Sequence, residues 1–221
     1  MNALWDQWDA ILQNIVRDGL VDYSRAKTLP AFEPFITDLK SIDFRELPTA
    51  EQRMAFLINA YNALTVDLVL AHYPVDSIKD IGGWFSGPWS IEVYPVGDDA
   101  LTLDEIEHEN LRLMGDPRIH FAINCASQSC PVLSDTAFRA DQLQQQLDEQ
   151  RLVFITSSRG VQFEDDDSGD VKVSKIFSWF NSDWGGTDGV LEMLQDQHPN
   201  GEDILDIDGY MQYDWSLNNA R

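Results

Sequence analysis

Cysteine, histidine and basic residues are all scarce in this sequence of 221 residues. It has two cysteines and four histidines, and 15 lysines and arginines stand against 38 aspartates and glutamates, which gives a net charge of −23. So few cations cannot neutralise phosphates, and we expect no nucleic-acid partner and no attraction to anionic membranes. The acidity fits a very soluble protein, including one adapted to high salt, where ions screen the self-repulsion.

Long apolar runs and a secretion signal are also missing. No stretch of the sequence is apolar for long enough to span a bilayer, so we expect no membrane insertion. Residues 1–5 do not form a signal peptide. We therefore expect a soluble protein, cytoplasmic as the sequence stands and periplasmic if it was exported with a signal peptide that has been trimmed.

Apolar residues make up 43% of the chain and aromatic residues 11%, enough for a sizeable core. We expect one globular domain over residues 1–221. Predicted strands are few, short and clustered, whereas helical spacing recurs along the chain. The predicted fold class is therefore α+β, with helices around a small, mainly antiparallel sheet.

The longest predicted element is a central buried helix over Ala50–His72. Thr49 and Gln52 have the types and spacing of a capping box at its start, and a proline at position 74 follows its end. The helix is apolar almost all the way round, so it should run through the core. Asn59 and Asn62 share one face of it. Buried amides need partners, so they either tie down neighbouring loops or orient a catalytic group.

Shorter elements are expected on both sides of this helix. Helical spacing predicts a first helix that begins near Trp5 and stops at Gly19. The other predicted elements are helices over 32–39, 140–156 and 189–197, a helix capped by Ser174, a short hairpin within 81–97, and a hairpin that pairs Val161 and Phe163 with Val171 and Val173 around the turn 164–170.

A second capping box, at residues 102–105, opens a helix with an acid on its apolar face. Counting about 100° per residue puts Glu107 inside the apolar arc and His108 at its flank. A buried carboxylate is costly unless it is paired, and Arg112 and Arg118 are the nearest cations in sequence. Glu107 is therefore either half of a structural ion pair or a site residue.

Residues 116–133 hold both cysteines and one histidine, and they concentrate the reactive groups of the chain. Ile119, Phe121 and Ile123 alternate with small or polar residues, which predicts a strand over 118–124. The small and polar run 126–129 then breaks the strand. Cys125 would lie where a buried strand ends and a turn begins, a place where reactive side chains are often presented.

A thiol in such a position becomes a nucleophile when a histidine lowers its pKa. In a continuous strand His120 and Cys125 would point to opposite faces, about 16 Å apart. They could meet only if the chain turns sharply; otherwise His108 is the better base. This chemistry predicts a cysteine-dependent hydrolase or acyl transferase for a small-molecule or peptide ligand, without a cofactor. The candidate catalytic residues are Cys125, His120, His108, Glu107, Asn59 and Asn62.

Two alternatives use the same residues without thiol catalysis. The first is a binding or scaffold module in which Cys125 and Cys130 form a disulfide, which their spacing permits. The second is a zinc site formed by these two cysteines with His108 and His120. A second paired motif, usual in zinc sites, is absent from the sequence.

An aromatic and acidic run near the end of the chain, Tyr213, Asp214 and Trp215, is a poor composition for a free tail. We expect all three side chains to be buried, with Asp214 accepting hydrogen bonds or pairing with an arginine. The run would then close the domain, over the Cys125 pocket.

Several of these motifs, taken in order, resemble one family, the bacterial and plant proteins classed as "domain of unknown function 547". Small departures are Leu57, where the family usually has Trp, and Trp184, where it usually has Phe. The resemblance implies a family and no reaction, and it favours an exported protein. The matching segments are 21–23, 55–64, 106–109, 117–127, 129–131, 174–177 and 213–218.

Overall fold

The computed structural model describes residues 1–83, 87–164 and 168–220, and it has the predicted α+β fold. Its α-helices are α1 (Asn2–Ile15), α2 (Tyr23–Thr28), α3 (Phe32–Lys40), α4 (Ala50–His72), α5 (Ile119–Ala122), α6 (Leu143–Ile155), α7 (Lys175–Trp179) and α8 (Thr187–Gln197). A π-helix spans Glu105–Leu111, and 3₁₀ turns include Arg112–Met114 and Asn181–Trp184.

The strands form three small sheets, and all but one of the described strand pairs are antiparallel. They are β1 (Val16–Arg17), β2 (Leu20–Val21), β3 (Glu92–Val96), β4 (Asp99–Thr102), β5 (Val161–Phe163), β6 (Asp170–Val173) and β7 (Asp206–Tyr210). The predicted pairing of Val161 with Val173 and of Phe163 with Val171 is confirmed. β7 adds to β6 in parallel. Within the predicted turn, residues 165–167 lie outside the described residues.

Helix α4 is the centre of the larger hydrophobic cluster and has the predicted bounds. Its capping box is present, because Thr49 Oγ1 accepts from Gln52 N and Gln52 Oε1 accepts from Thr49 N. By length and composition α4 could cross a membrane, but 83% of its most apolar window is buried inside the protein. It is a core helix, as its all-round apolar surface predicts.

The first helix ends earlier than predicted, at Ile15. Gly19 does not stop it, but lies in the tight turn between β1 and β2 with a φ of 74°. A Cβ at this position would also collide with the side chain of Val132. Glycine is therefore required here by the turn and by the close approach of this backbone to Val132. The local sequence pattern does not distinguish such a glycine from one that ends a helix.

The helix after β4 is a π-helix where an ordinary α-helix was expected. The predicted capping contacts form, since Glu105 Oε2 accepts from Thr102 N at 2.7 Å and Thr102 Oγ1 accepts from Glu105 N at 3.1 Å. Asn110 Nδ2 donates to the carbonyl of Glu105, five residues back. Glu107 is buried and His108 exposed, as the helical count predicts. π-Helices are rare and frequently occur at functional sites.

The predicted strand over 118–124 is wrong, because residues 119–122 form the helical turn α5. Asp116 starts it by accepting the backbone N–H of Arg118 at 3.0 Å, and Pro117 favours a first helical turn. Every residue of α5 is buried. The alternation of residue types therefore does not correspond to one buried and one exposed face, as it would in a half-buried strand. Ile119 belongs to the larger hydrophobic cluster and Phe121 to the smaller one, so α5 lies where they meet.

The C-terminal segment packs back onto the protein, but Asp214 is exposed and its predicted burial is wrong. Its carboxylate accepts from the Ser216 N–H at 2.8 Å and from the Ser216 hydroxyl at 2.6 Å, so it needs no arginine. Tyr213 and Trp215 are half-buried. Isolated β-bridges join the segment to Val21, Ser77 and Ser127, which draws it across the Cys125 loop.

Candidate functional site

The loop after α5 presents Cys125 by turning sharply at the next residue. Ala126 has a φ of 62°, a left-handed conformation that costs a non-glycine residue roughly 1–3 kcal/mol. Asn124 holds this turn, since its Oδ1 accepts from Ala126 N at 2.9 Å and its Nδ2 donates to the Pro131 carbonyl. Asn218 Nδ2 also donates to Asn124 Oδ1, at 3.0 Å. The thiol therefore sits on a loop fixed by buried amides.

Asn62 anchors this loop to α4. Its Nδ2 donates to the Ala122 carbonyl at 2.9 Å, and its Oδ1 accepts from Asn124 N at 2.8 Å. Asn59 makes the same pair of bonds elsewhere, to the backbone N–H and carbonyl of Phe138. Both amides thus tie down loops, and Asn62 ties down the loop that carries the thiol.

Two hydroxyl groups lie beside the sulfur of Cys125. Ser127 Oγ is 3.2 Å and Tyr213 Oη 3.3 Å from Sγ, and the two hydroxyls are 3.0 Å apart. The backbone N–H of Ser127 makes a smaller contribution that lowers the pKa of Cys125. Burial raises the pKa of the Tyr213 phenol, which keeps it a protonated donor.

The second cysteine supports the first. Cys125 N donates to Cys130 Sγ at 2.9 Å. Burial raises the pKa of the Cys130 thiol well above its usual value, so it stays protonated and can donate. Hydrogen bonding from Cys130 is the largest cause that lowers the pKa of Cys125, to about 7, and the hydroxyls of Ser127 and Tyr213 add to it. These groups therefore favour the thiolate form of Cys125.

His120 lies in the wall of the same cavity and is held on two sides. Its Nε2 is 2.8 Å from Asp183 Oδ2, and its ring stacks on Phe180 with centroids 3.9 Å apart. Arg112 binds the Asp183 carboxylate through two bonds of 2.6 and 2.7 Å. These bonds, Arg112 first, hold the pKa of Asp183 well below its usual range. The carboxylate therefore accepts a hydrogen bond from the N–H at Nε2 of His120. The other ring nitrogen, Nδ1, is left free.

Glu107 faces that free nitrogen. Its Oε1 lies 3.6 Å from His120 Nδ1, too far for a hydrogen bond, and the residue is 8% exposed. Neither arginine expected to pair with Glu107 does so. Arg112 binds Asp183, and the guanidinium of Arg118 binds Asp116 and other groups away from the cavity.

A hydrogen bond between a histidine and the Cys125 sulfur was expected and is not formed among the described residues. His120 Nε2 binds Asp183, and His108 Nδ1 lies 3.0 Å from the guanidinium of Arg112. Because α5 is helical, the strand argument that separated His120 from Cys125 does not apply. The polar groups in contact with the sulfur are instead the hydroxyls of Ser127 and Tyr213, and Cys130 adds to the lowering of its pKa.

These groups share one cavity of about 170 Å³. Cys125 and Cys130 lie on its wall, as do His120, His108 and Glu107. Asn59 and Asn62 are not lining residues. Much of the remaining lining is aromatic, with Trp89, Trp179, Phe180, Tyr213 and Trp215. The cavity thus combines a reactive thiol, a histidine held by a carboxylate, and an apolar wall.

The disulfide and zinc alternatives do not match this geometry. Cys125 and Cys130 are both free thiols. Within the described part of the chain, histidine, cysteine, aspartate and glutamate side chains form no group of three or more that could hold a metal ion. His120 is bound to Asp183, and His108 lies next to the guanidinium of Arg112. These partners occupy a ring nitrogen of each histidine that a shared metal ion could otherwise use.

Several site residues were not identified from the sequence. Ser127 lies within the cysteine motif, and Tyr213 lies in the aromatic run predicted to cover the pocket. The sequence therefore contained a local indication that both residues could belong to the site. Asp183 had none, because its partners His120 and Arg112 are 63 and 71 residues away. Contacts of this range come from tertiary structure and leave no local pattern.

Comparison with known proteins identifies a family. The family model described as "Protein of unknown function, DUF547" matches residues 44–155, about half of the chain. The matched span includes α4, the π-helix and the Cys125 loop, and it ends before Asp183 and Tyr213. Neither the curated proteins nor the solved structures contain a match to this chain.

Proposed function

Because the chain belongs to a family of proteins of unknown function, DUF547, its reaction has to be inferred from the site, and we propose a cysteine-dependent hydrolase or acyl transferase. Cys125 is the nucleophile. The observation that carries this proposal is the set of donors around its sulfur, which lowers the pKa of Cys125 to about 7 beside an open cavity. A thiol that served packing alone would gain nothing from this arrangement.

The first step forms an acyl-enzyme. The Cys125 thiolate attacks the carbonyl carbon of an ester, thioester or amide, a carbon–sulfur bond forms, and the bond to the leaving group breaks. The proton that Cys125 loses on ionising passes to His120 Nδ1, and the leaving group takes it from there. This is nucleophilic catalysis by an activated thiol, which divides one difficult displacement into two easier ones.

The second step releases the acyl group. His120 Nδ1 takes a proton from water, or from an acceptor alcohol or amine, as the oxygen or nitrogen of that molecule attacks the thioester carbon. The carbon–sulfur bond breaks and the thiolate returns. His120 suits this role because Asp183 fixes its tautomer and leaves Nδ1 available. The histidine thus acts on the substrate and the second nucleophile, while the thiolate is stabilised by other groups.

Alkylation tests the nucleophile. The native protein is treated with iodoacetamide at neutral pH under reducing conditions, and the two cysteines are followed separately by peptide mapping. We expect Cys125 to react at least roughly tenfold faster than Cys130. The variant C130S keeps a hydrogen-bond donor at this position and should keep the fast phase, C130A removes that donor and should slow it, and C125S should lose it. Equal, slow reaction of both thiols would contradict the proposal.

Acylation tests the reaction class. A chromogenic acetyl ester such as p-nitrophenyl acetate is mixed with the native protein, and the acylated peptide is identified by mass spectrometry. We expect an acetyl group on Cys125 that water slowly removes, with no acetylation of Cys125 in a denatured control.

A further inference from the structure

Glu107 is a buried carboxylate with no hydrogen-bond donor within range among the described residues. The Nδ1 of His120 lies 3.6 Å from Glu107 Oε1 and is itself without a hydrogen-bond partner. Glu107 is 8% exposed and lines the cavity. Leaving a carboxylate in such a place is costly unless a positive charge or a hydrogen-bond donor compensates it.

The wall of the cavity offers aromatic rings. Tyr213 lies between Trp179 and Trp215, with ring centroids 4.7 and 4.6 Å away, and Trp89 lies 5.7 Å from Trp215. The ring of Trp215 already accepts a cation, since Lys79 Nζ lies 3.8 Å from its centroid. Lys79 is not among the lining residues, so its ammonium group is not part of the cavity wall.

The charged lining residues are acidic. Asp104 and Glu107 line the cavity, and its described lining contains neither lysine nor arginine. Phosphate and carboxylate ligands would find no permanently charged cation on this lining, whereas an ammonium group would find both carboxylates and aromatic rings. The overall charge of −23 adds a field that concentrates cations and repels anions.

From these contacts we infer that the cavity binds a small cationic group, an amine or a quaternary ammonium, between Glu107 and the aromatic residues of the cavity wall. Aromatic rings with a nearby carboxylate are the chemistry by which proteins recognise such groups. One part of the inference rests on the proposed function. In that part the cationic group belongs to the acyl donor, and its binding places the carbonyl carbon of the donor next to Cys125.

Charged thiol reagents test the inference at the thiol. Cys125 is modified with the trimethylammonium-ethyl methanethiosulfonate and with its sulfonate-ethyl counterpart, and each rate is divided by that of a free small thiol in the same buffer. We expect the cationic reagent to be favoured by roughly tenfold or more. E107Q should remove most of this preference.

The exposed Glu109 gives the matched control, since it lies on the same π-helix and E109Q changes the net charge by the same amount. Both variants weaken the general field equally, so the small loss expected in E109Q measures the share of the field, and the larger loss in E107Q measures the local contact. Physiological salt screens that field further. Equal rates for the two reagents, or equal losses in E107Q and E109Q, would overturn the inference.

Binding without the thiol separates the two proposals. Tetramethylammonium is titrated into C125S, and tryptophan fluorescence and NMR shifts of the cavity residues are followed. Saturable binding that E107Q weakens and E109Q does not supports the cation site, even if Cys125 proves unreactive. Absence of such binding, with Cys125 still reacting fast towards iodoacetamide, would refute the cation site and leave the thiol enzyme standing.

Discussion

The hydroxyl of Tyr213 lies 3.3 Å from the sulfur of Cys125, although 88 residues separate them in the chain. The same hydroxyl lies 3.0 Å from Ser127 Oγ, so it completes a triangle of polar atoms around the thiol. A residue from the C-terminal segment therefore takes part in setting the reactivity of a thiol in the middle of the sequence.

Replacing Tyr213 with Phe should raise the pKa of Cys125. The hydroxyl stabilises the thiolate, so Y213F should have less thiolate at pH 7 and react several-fold more slowly with iodoacetamide. The pH–rate profile should rise through about pH 7 in the wild type and at higher pH in Y213F. Tyr210→Phe, three residues earlier in β7, is the control and should keep the wild-type profile. An unchanged profile in Y213F would contradict the role given to the hydroxyl.

Asn59 and Asn62 form a matched pair, because each amide binds one backbone N–H and one carbonyl at 2.8–2.9 Å. Either Asn→Ala change leaves two buried backbone groups unpaired and should lower the free energy of unfolding by roughly 2–4 kcal/mol. Chemical denaturation measures this loss. N62A should also slow alkylation of Cys125, while N59A should not. If both variants altered thiol reactivity equally, the loop anchoring by Asn62 would be wrong.

Asp183→Asn should slow turnover without slowing the first reaction of the thiol. The asparagine no longer fixes the His120 tautomer, so hydrolysis of the acyl-enzyme should fall by roughly a hundredfold or more. Alkylation of Cys125 should stay at the wild-type rate, because the donors to its sulfur are intact. Loss of alkylation together with turnover would show that the variant disturbs the thiol as well.

Asp183 also contributes stability that depends on pH. Hydrogen bonds from Arg112 and His120 lower its pKa in the folded state, so this stability is present above the unfolded value of about 4 and is lost as the pH falls below it. At neutral pH D183N should cost roughly 2–3 kcal/mol, less than a fully buried pair, because the two side chains are 20% and 26% exposed. The gap between wild type and D183N should narrow towards acidic pH. Asp116→Asn removes a comparably buried arginine pair and should leave turnover unchanged.

Deleting residues 210–221 should lower the melting temperature by at least about 5 °C, since roughly 2 kcal/mol or more is lost and each kcal/mol shifts a chain of this size by about 2–4 °C. The deletion removes the buried Leu217 and Asn218 and the backbone bonds from the segment to the Cys125 loop. Fast alkylation of Cys125 should disappear with it. The exposed Gln212 gives the control, and Q212A should melt with the wild type. A truncated protein with wild-type melting and wild-type thiol reactivity would show that the segment is dispensable.

The sequence predicted elements where several signals agreed over a long stretch. Helix α4 has a capping box, a following proline and more than twenty residues of consistent pattern, and its bounds are correct. The stretch around α5 has seven residues with an alternating pattern, too few to distinguish a strand from a buried helical turn. There the local start signal of Asp116 and Pro117 prevailed.

The candidate site was predicted in its residue types and only partly in its contacts. Cys125, His120, His108 and Glu107 do share one cavity. Which of them touch was not predictable, because the partners of His120 and of the thiol come from Asp183 and Tyr213, far along the chain. Geometry of this kind depends on how α5 and the C-terminal segment pack, which no spacing rule encodes.

The C-terminal segment is joined by bridges to Val21, Ser77 and Ser127. A chain can therefore contain the cysteine motif without having the complete surroundings of the Cys125 thiol. During synthesis from the N-terminus, the cysteine motif is made before Tyr213 and the residues that hold its loop. A nascent chain, or a fragment cut before Tyr213, carries every residue of the motif and lacks one of the donors to its sulfur. If Cys125 is the nucleophile that we propose, its fast reaction should require a chain translated and docked past Asn218, and the motif in a shorter fragment would not by itself imply that reactivity.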